Sequence, residues 1–409
     1  MLSRSHHTPT ADPALRRLRV AVTVFFAVDG FLFAGWVVRI PAIKAQVGAS
    51  AGQLGLALLG VSAGAVATMV LTGRLCRAFG NERVTVATGA MMSVSIALPP
   101  RTHSALALGL VLLCFGVSYG GLNVAMNSVA VDLVAALRRP VMSSFHAAYS
   151  LGGLVGAGIG GLLAPHLSPA AHLLLLTPVG LVTVAFAGRV LLAHSLSRPG
   201  GRPAEARQAG DRDRRQPART RTDGPSPVVL VSVFGMIAAC SAYGEGALAE
   251  WGPLHIQQDL HGGPGIAAAG YGAVALAMTL GRLSGTALIT RLGQSRALVL
   301  SGLTACVGML IGALAPYTAL VMAGFALTGL GLANLFPTAI ARAGELTGPS
   351  GVAAASTFGY GGMLLGPPSI GFLTEAFGLP TALTTVSGLA ALAAVIAWAV
   401  RNTGVSRSF

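Results

Sequence analysis

Two acidic residues stand where an apolar chain has little ordinary use for charge. Asp29 interrupts FFAVDGFLFAGWVVRI and Glu245 interrupts ACSAYGEGALAEW; each is followed by Gly-x-Leu and then by a tryptophan, Trp36 or Trp251. An ionised side chain at the centre of a membrane helix costs about 2.5–3.5 kcal/mol by insertion scales, so such groups face a partner or a cavity. Asp29 therefore reads either as a carboxylate hydrogen-bonded to a neighbouring helix or as a proton carrier whose titration follows its surroundings. Glu250 lies nearer the end of its run and reads as solvated, which leaves Glu245 as the second titrating candidate. Asn123 and Asn127 are one helical turn apart and share a face. They can bind a polar ligand or tie their helix to a neighbour, and Asn334 recurs at the equivalent place later in the chain. His146 can switch with pH in the physiological range or bridge helices. Together with Tyr243, Tyr360, Trp36 and Trp251 these residues are the candidates for lining a substrate cavity. The two tryptophans equally suit interfacial anchors, and Arg39 reads as an anchor whose long stem snorkels to water.

The elements that must position these groups are membrane helices. Of 409 residues 53% are hydrophobic and only 10% charged, against about 25% charged in soluble domains. Apolar runs of about 20 residues, the length that spans a bilayer core, recur from end to end. No alternating apolar–polar pattern points to a barrel, so helices must satisfy the backbone. The breakers divide the sequence into twelve expected spans, at 18–40, 52–73, 84–100, 105–132, 143–165, 171–193, 228–250, 265–289, 297–316, 318–341, 352–376 and 380–400. Residues 1–17 and 401–409 are tails. Residues 194–227 are rich in Arg and Pro, bury nothing and read as a linker between six-helix halves 18–193 and 228–400. Of 27 Lys and Arg residues, all but Arg39, Lys44 and Arg101 fall on the side of the termini and linker. The positive-inside rule makes that side cytoplasmic, so the net charge of +14 reflects topology and not nucleic-acid binding. The four cysteines lie scattered in apolar stretches and read as packing residues.

The halves repeat internally. GGLNV at 120–124 mirrors GLANL at 331–335, and the offset that pairs Asn123 with Asn334 also pairs Tyr149 with Tyr360 and Gly160 with Gly371. Two pseudo-symmetric halves are the arrangement of carriers that bind substrate between repeats near the bilayer midplane. In GRLCRAFGNER at 73–83 the chain resembles the loop signature of the major facilitator superfamily, with Gly73, Leu75 and Gly80 matching and Arg83 at the basic end; Arg74 and Arg77 complete the basic run. The signature's usual acid, part of a cytoplasmic latch in the family, is replaced by Arg77, so the resemblance implies a different or weaker latch. A second copy, GTALITRLGQSR at 285–296, keeps Arg291 and Gly293. GGLNVAMNSVAVDL and MSSFHAAYSLGGLVGA resemble a bacterial inner-membrane branch near the fucose-permease-like carriers. That resemblance implies proton coupling through a first-span acid, Asp29, while the fourth-span acid is replaced by Asn123 or Asn127.

The resulting expectation is an all-α polytopic membrane protein of twelve helices, in a bacterial cytoplasmic membrane, with both termini cytoplasmic. It moves a small polar solute by alternating access, with protons as the coupling ion. Drug or metabolite efflux is the alternative direction, and a non-transporting sensor on the same scaffold is the alternative class. No phosphate-cradling loop, metal-ligand cluster or nucleophile–base set is visible, so no enzymatic activity and no cofactor are expected. The expected partners are a substrate molecule, protons and lipid, with the chain a monomer.

Overall fold

The structure, a computed structural model, describes residues 13–137, 141–194, 226–347 and 349–402. Most of the expected linker and the basic pair Arg138–Arg139 lie outside the described residues. Helices make up nearly all of the described chain, and no strand occurs among the described residues. In sequence order the spans are Pro13–Val37, Ala51–Phe79, Asn81–Ser95, Ala105–Leu137, Met142–Leu163 and Pro169–Ala193. The second half follows with Pro227–Glu250, Pro264–Leu292, Gln294–Leu314, the broken pair Thr318–Leu332 and Leu335–Thr347, Pro349–Phe377 and Leu379–Ala399. The first span begins five residues inside the expected tail. Ten of these helices are long and apolar enough to cross a membrane by length and composition, counting the broken pair as one. Their outward faces carry exposed Leu106, Leu162, Val228 and Phe186, a surface suited to lipid and not to water.

Local chemistry explains where the helices start and stop. Ser50, Ser168 and Ser226 accept hydrogen bonds from backbone N–H groups three residues on, and Ser50 with Gln53 forms a reciprocal capping box. Gly80 (φ +91°) and Gly293 (φ +77°) end the second and eighth spans and begin the third and ninth. Their backbone lies where a side chain is disfavoured, which gives a physical reason for the glycine at the same place in both copies of the loop signature.

One feature of both halves was not expected. A short helix follows the first span, Ile40–Val47, and another follows the seventh, Gly252–Gln258. Val38–Pro41 and Trp251–Ile256 are buried, so the protein continues past the ends of these spans where the sequence placed water.

The halves meet mainly at the end away from the termini. Added Cβ atoms on Gly55 and Gly371 of the second and eleventh spans would meet the other half's backbone, and one on Gly161 of the fifth would meet Ala268 of the eighth. The hydrogen bonds between halves include Gly52 N–H to Glu375 Oε1 (2.9 Å), Ser62 to the Met363 carbonyl (3.3 Å) and Arg282 to Ser150 (3.0 Å). Towards the termini the corresponding glycines face only their own half: Gly285 meets Asn334, and Gly351 meets Ala343 and Thr347. Among the described residues the bundle is closed at the far end and parted at the end of the termini.

Glu375 supplies a carboxylate to the N-terminus of the second span, where unpaired N–H groups favour negative charge. The loop signature lacks its acid at the opposite end, so the acidic contact between halves sits here instead. Glu375→Gln is expected to weaken far-end closure. Spin labels on the far ends of the second and eleventh spans would then show a larger long-distance population; an unchanged distance distribution would refute the role.

Candidate functional site

The middle of the parted interface collects polar side chains from both halves. Asp29, eight residues before the end of the first span, is fully buried, and neither carboxylate oxygen has a hydrogen-bond partner. Tyr119 of the fourth span and Tyr149 of the fifth lie close enough to feel its charge, and their hydroxyls are 3.2 Å apart. Tyr271 of the eighth span and Tyr360 of the eleventh interact electrostatically with Tyr119, so four of the chain's six tyrosines converge here, two from each half.

Glu245 faces this cluster from the seventh span. Its Oε2 is 3.2 Å from Arg282 Nη2 and its Oε1 accepts a hydrogen bond from Ser241 at 3.3 Å. Arg282 reaches across the interface, its Nη1 donating to Ser150 Oγ of the fifth span. Both members of the ion pair are about one-quarter exposed. His146, one turn before Ser150, is exposed in the same region, packs edge-on against Phe26 and feels the charge of Arg282.

The remaining predicted residues divide between the cleft and the packed interior. Asn123 and Asn127 are half-buried on one face of the fourth span, and Asn127 donates to the Asn123 carbonyl at 2.8 Å. Asn334 donates to the Gly281 carbonyl, tying the tenth span to the eighth. Tyr243 is buried, its hydroxyl 3.0 Å from that of Thr385. Trp36 and Trp251 are both fully buried with unpartnered indole N–H groups, away from water and lipid alike. Gly73, Arg74, Arg77, Gly80 and Arg83 lie at the end of the termini, where the three arginines are exposed.

Two expectations are corrected. Arg39 is not a snorkelling anchor: it is 2% exposed, its Nε donates to His172 Nδ1 at 2.8 Å, and its Nη1 donates to the carbonyls of Ala164 and Leu167. Glu250 is buried and not solvated. In both cases the buried turn after the span removes the water that the sequence had placed there. Arg39→Gln is expected to lower the stability of the purified protein by about 1–3 kcal/mol, because two carbonyls lose a charged donor. Thermal unfolding in detergent measures this, and an unchanged melting temperature would contradict it.

Sequence reasoning missed Arg282, Ser150, Tyr119 and Tyr271. Arg282 is one of the basic residues counted on the side of the termini and linker, although it falls inside the expected eighth span at 265–289. A charge within a span boundary was the signal available.

Comparison with known proteins identifies the family and the fold. The profile of the Major Facilitator Superfamily matches residues 21–311 and 234–408. An uncharacterized transporter, y4wD, of Sinorhizobium fredii is 33% identical over 386 residues, covering 92% of this chain and 96% of the relative. An uncharacterized MFS-type transporter of Yersinia pestis is 30% identical over 406 residues, covering 98% and 100%. Among solved structures, a bacterial homologue of the lysosomal transporter Spinster, inward-facing and occupied, superposes with a TM-score of 0.71 at 13% identity, over 98% of this chain and 99% of the other. The chain belongs to the Major Facilitator Superfamily, and it is a multi-pass membrane transporter and not an enzyme.

Proposed function

We propose that this transporter moves a small polar solute by alternating access and that proton binding at Asp29 drives it, with Glu245 as a second titrating site. The observation that carries the reading is the buried Asp29 carboxylate with two unpartnered oxygens. An uncompensated buried charge is costly, so Asp29 carries a proton in this conformation and releases it when the rocking halves admit water. The basic residues gathered at the end of the termini make that end cytoplasmic. The parted cleft then faces the cytoplasm, in a bacterial cytoplasmic membrane. Both import and export are compatible with this cycle.

Purified protein in proteoliposomes with an imposed pH gradient tests the proposal. Solute accumulation that follows the gradient and collapses with a protonophore supports it. Flux that only equilibrates, whatever the gradient, refutes the coupling. No flux for any solute across a broad metabolite panel refutes the transport reading.

A further inference from the structure

The hydrogen-bonding capacity left over at the centre of the cleft is unequal. Arg282 has five N–H donors; two are used, on Ser150 and Glu245, and the other three have no partner among the described residues. Both oxygens of Glu245 are engaged, by Ser241 and Arg282. The other intramembrane carboxylate of the cluster, Asp29, is sealed from the cleft. His146 is exposed beside Arg282, packed against Phe26 and with no side-chain hydrogen bond among the described residues. The open face of the cleft therefore offers the donors of one cation, Arg282, and no free carboxylate among the described residues.

We propose that the cleft takes a small monocarboxylate, which docks on the unspent N–H groups of Arg282 between the two halves. The proposal rests on the transport reading above and names its substrate class. A guanidinium matches the planar fork of a carboxylate. A dianion such as a phosphate monoester would bring two charges to a site with one cation, already shared with Glu245. The charge that a monocarboxylate brings is balanced by a proton taken up on Glu245 from the cleft, so the ion pair becomes an Arg–substrate pair beside a neutral Glu245. The groups facing Glu245 are Arg282 and Tyr271 from the eighth span and Ser241 from its own; the tenth, eleventh and twelfth spans bring it no charged side chain among the described residues. The Ser150 contact then makes the docked substrate a bridge between halves, since the arginine that holds it is already hydrogen-bonded across the interface.

Thermal stabilisation of the detergent-purified protein by a panel of metabolite monocarboxylates provides the test, each probe paired with its primary amide and with glycerol 3-phosphate as the dianion. The expected result is stabilisation by at least one carboxylate and not by its amide or the dianion. Arg282→Gln should weaken it about tenfold to a hundredfold, and Arg282→Lys should retain part of it. Glu245→Gln should retain binding and lose its pH dependence. Monodispersity on gel filtration confirms that each variant is folded; if Arg282→Gln fails to fold, Arg282→Lys and Glu245→Gln decide. Equal stabilisation by acid and amide, stabilisation confined to uncharged solutes or dianions, or none by any carboxylate overturns the proposal. Gradient-driven flux of an uncharged solute, unaffected by Arg282→Lys, would overturn it while leaving the transport reading intact.

Discussion

Asp29→Asn is expected to abolish gradient-driven accumulation while leaving a folded protein that still equilibrates its solute. Asn has nearly the shape of Asp and carries no charge, so the site keeps its packing and loses only its ability to bind and release a proton. The wild-type carboxyl lies at zero exposure without a partner and must take up a proton to be buried there, which costs folding free energy; Asn needs no such proton, and the variant should melt no lower than the parent. The size of the effect follows from the driving force. A gradient of one pH unit is worth about 1.4 kcal/mol per proton, or about tenfold accumulation for one coupled proton. The variant should show a ratio of about one. Accumulation within twofold of the parent would move the coupling site elsewhere, with Glu245 the next residue to test.

The sequence was informative wherever its signal was local. Span limits follow from apolar runs and breakers, and most fall within a few residues of the helices because lipid forces the backbone to satisfy itself inside each run. The repeat was legible too, in Asn123 with Asn334 and in the loop glycines Gly80 and Gly293, whereas the short helix after the first span of each half came to light only in the structure. Asp29 stood out because a charge in an apolar run is visible without any partner. The residues that escaped notice act through contacts between distant parts of the chain. Glu375 has meaning only against Gly52, and Arg282 only against Ser150 and Glu245. Arg39 and Glu250 were read as interfacial from their distance along the chain, which holds only if the protein ends where the span does. The buried turns after the first and seventh spans break that assumption.

The acidic-Gly-x-Leu element looks the same in both halves, yet its two glycines should respond oppositely to substitution. An added Cβ on Gly30 would land on the Tyr149 carbonyl, and Gly152 across the same contact would meet the Ala27 carbonyl. The first and fifth spans therefore touch backbone to backbone, as small residues permit in membrane bundles. At Gly246, which follows Glu245 as Gly30 follows Asp29, an added Cβ meets nothing within 4 Å. In a helix interior Gly→Ala alone favours folding by about 1 kcal/mol, so any loss at Gly30 must come from packing. Forcing atoms into a filled contact typically costs about 1–3 kcal/mol and sometimes more; here the obstacle is backbone, which cannot rotate away. Gly30→Ala is thus expected to lower the melting temperature and the monodisperse yield, with Gly30→Val failing to fold, while Gly246→Ala stays level or gains slightly. The shift would also reach function, because Gly30 adjoins Asp29 and the displaced Tyr149 carries one of the hydroxyls beside that carboxylate. Equal behaviour of Gly30→Ala and Gly246→Ala would mean that the first and fifth spans do not pack this closely, and with that the sealed setting of Asp29 would have to be abandoned.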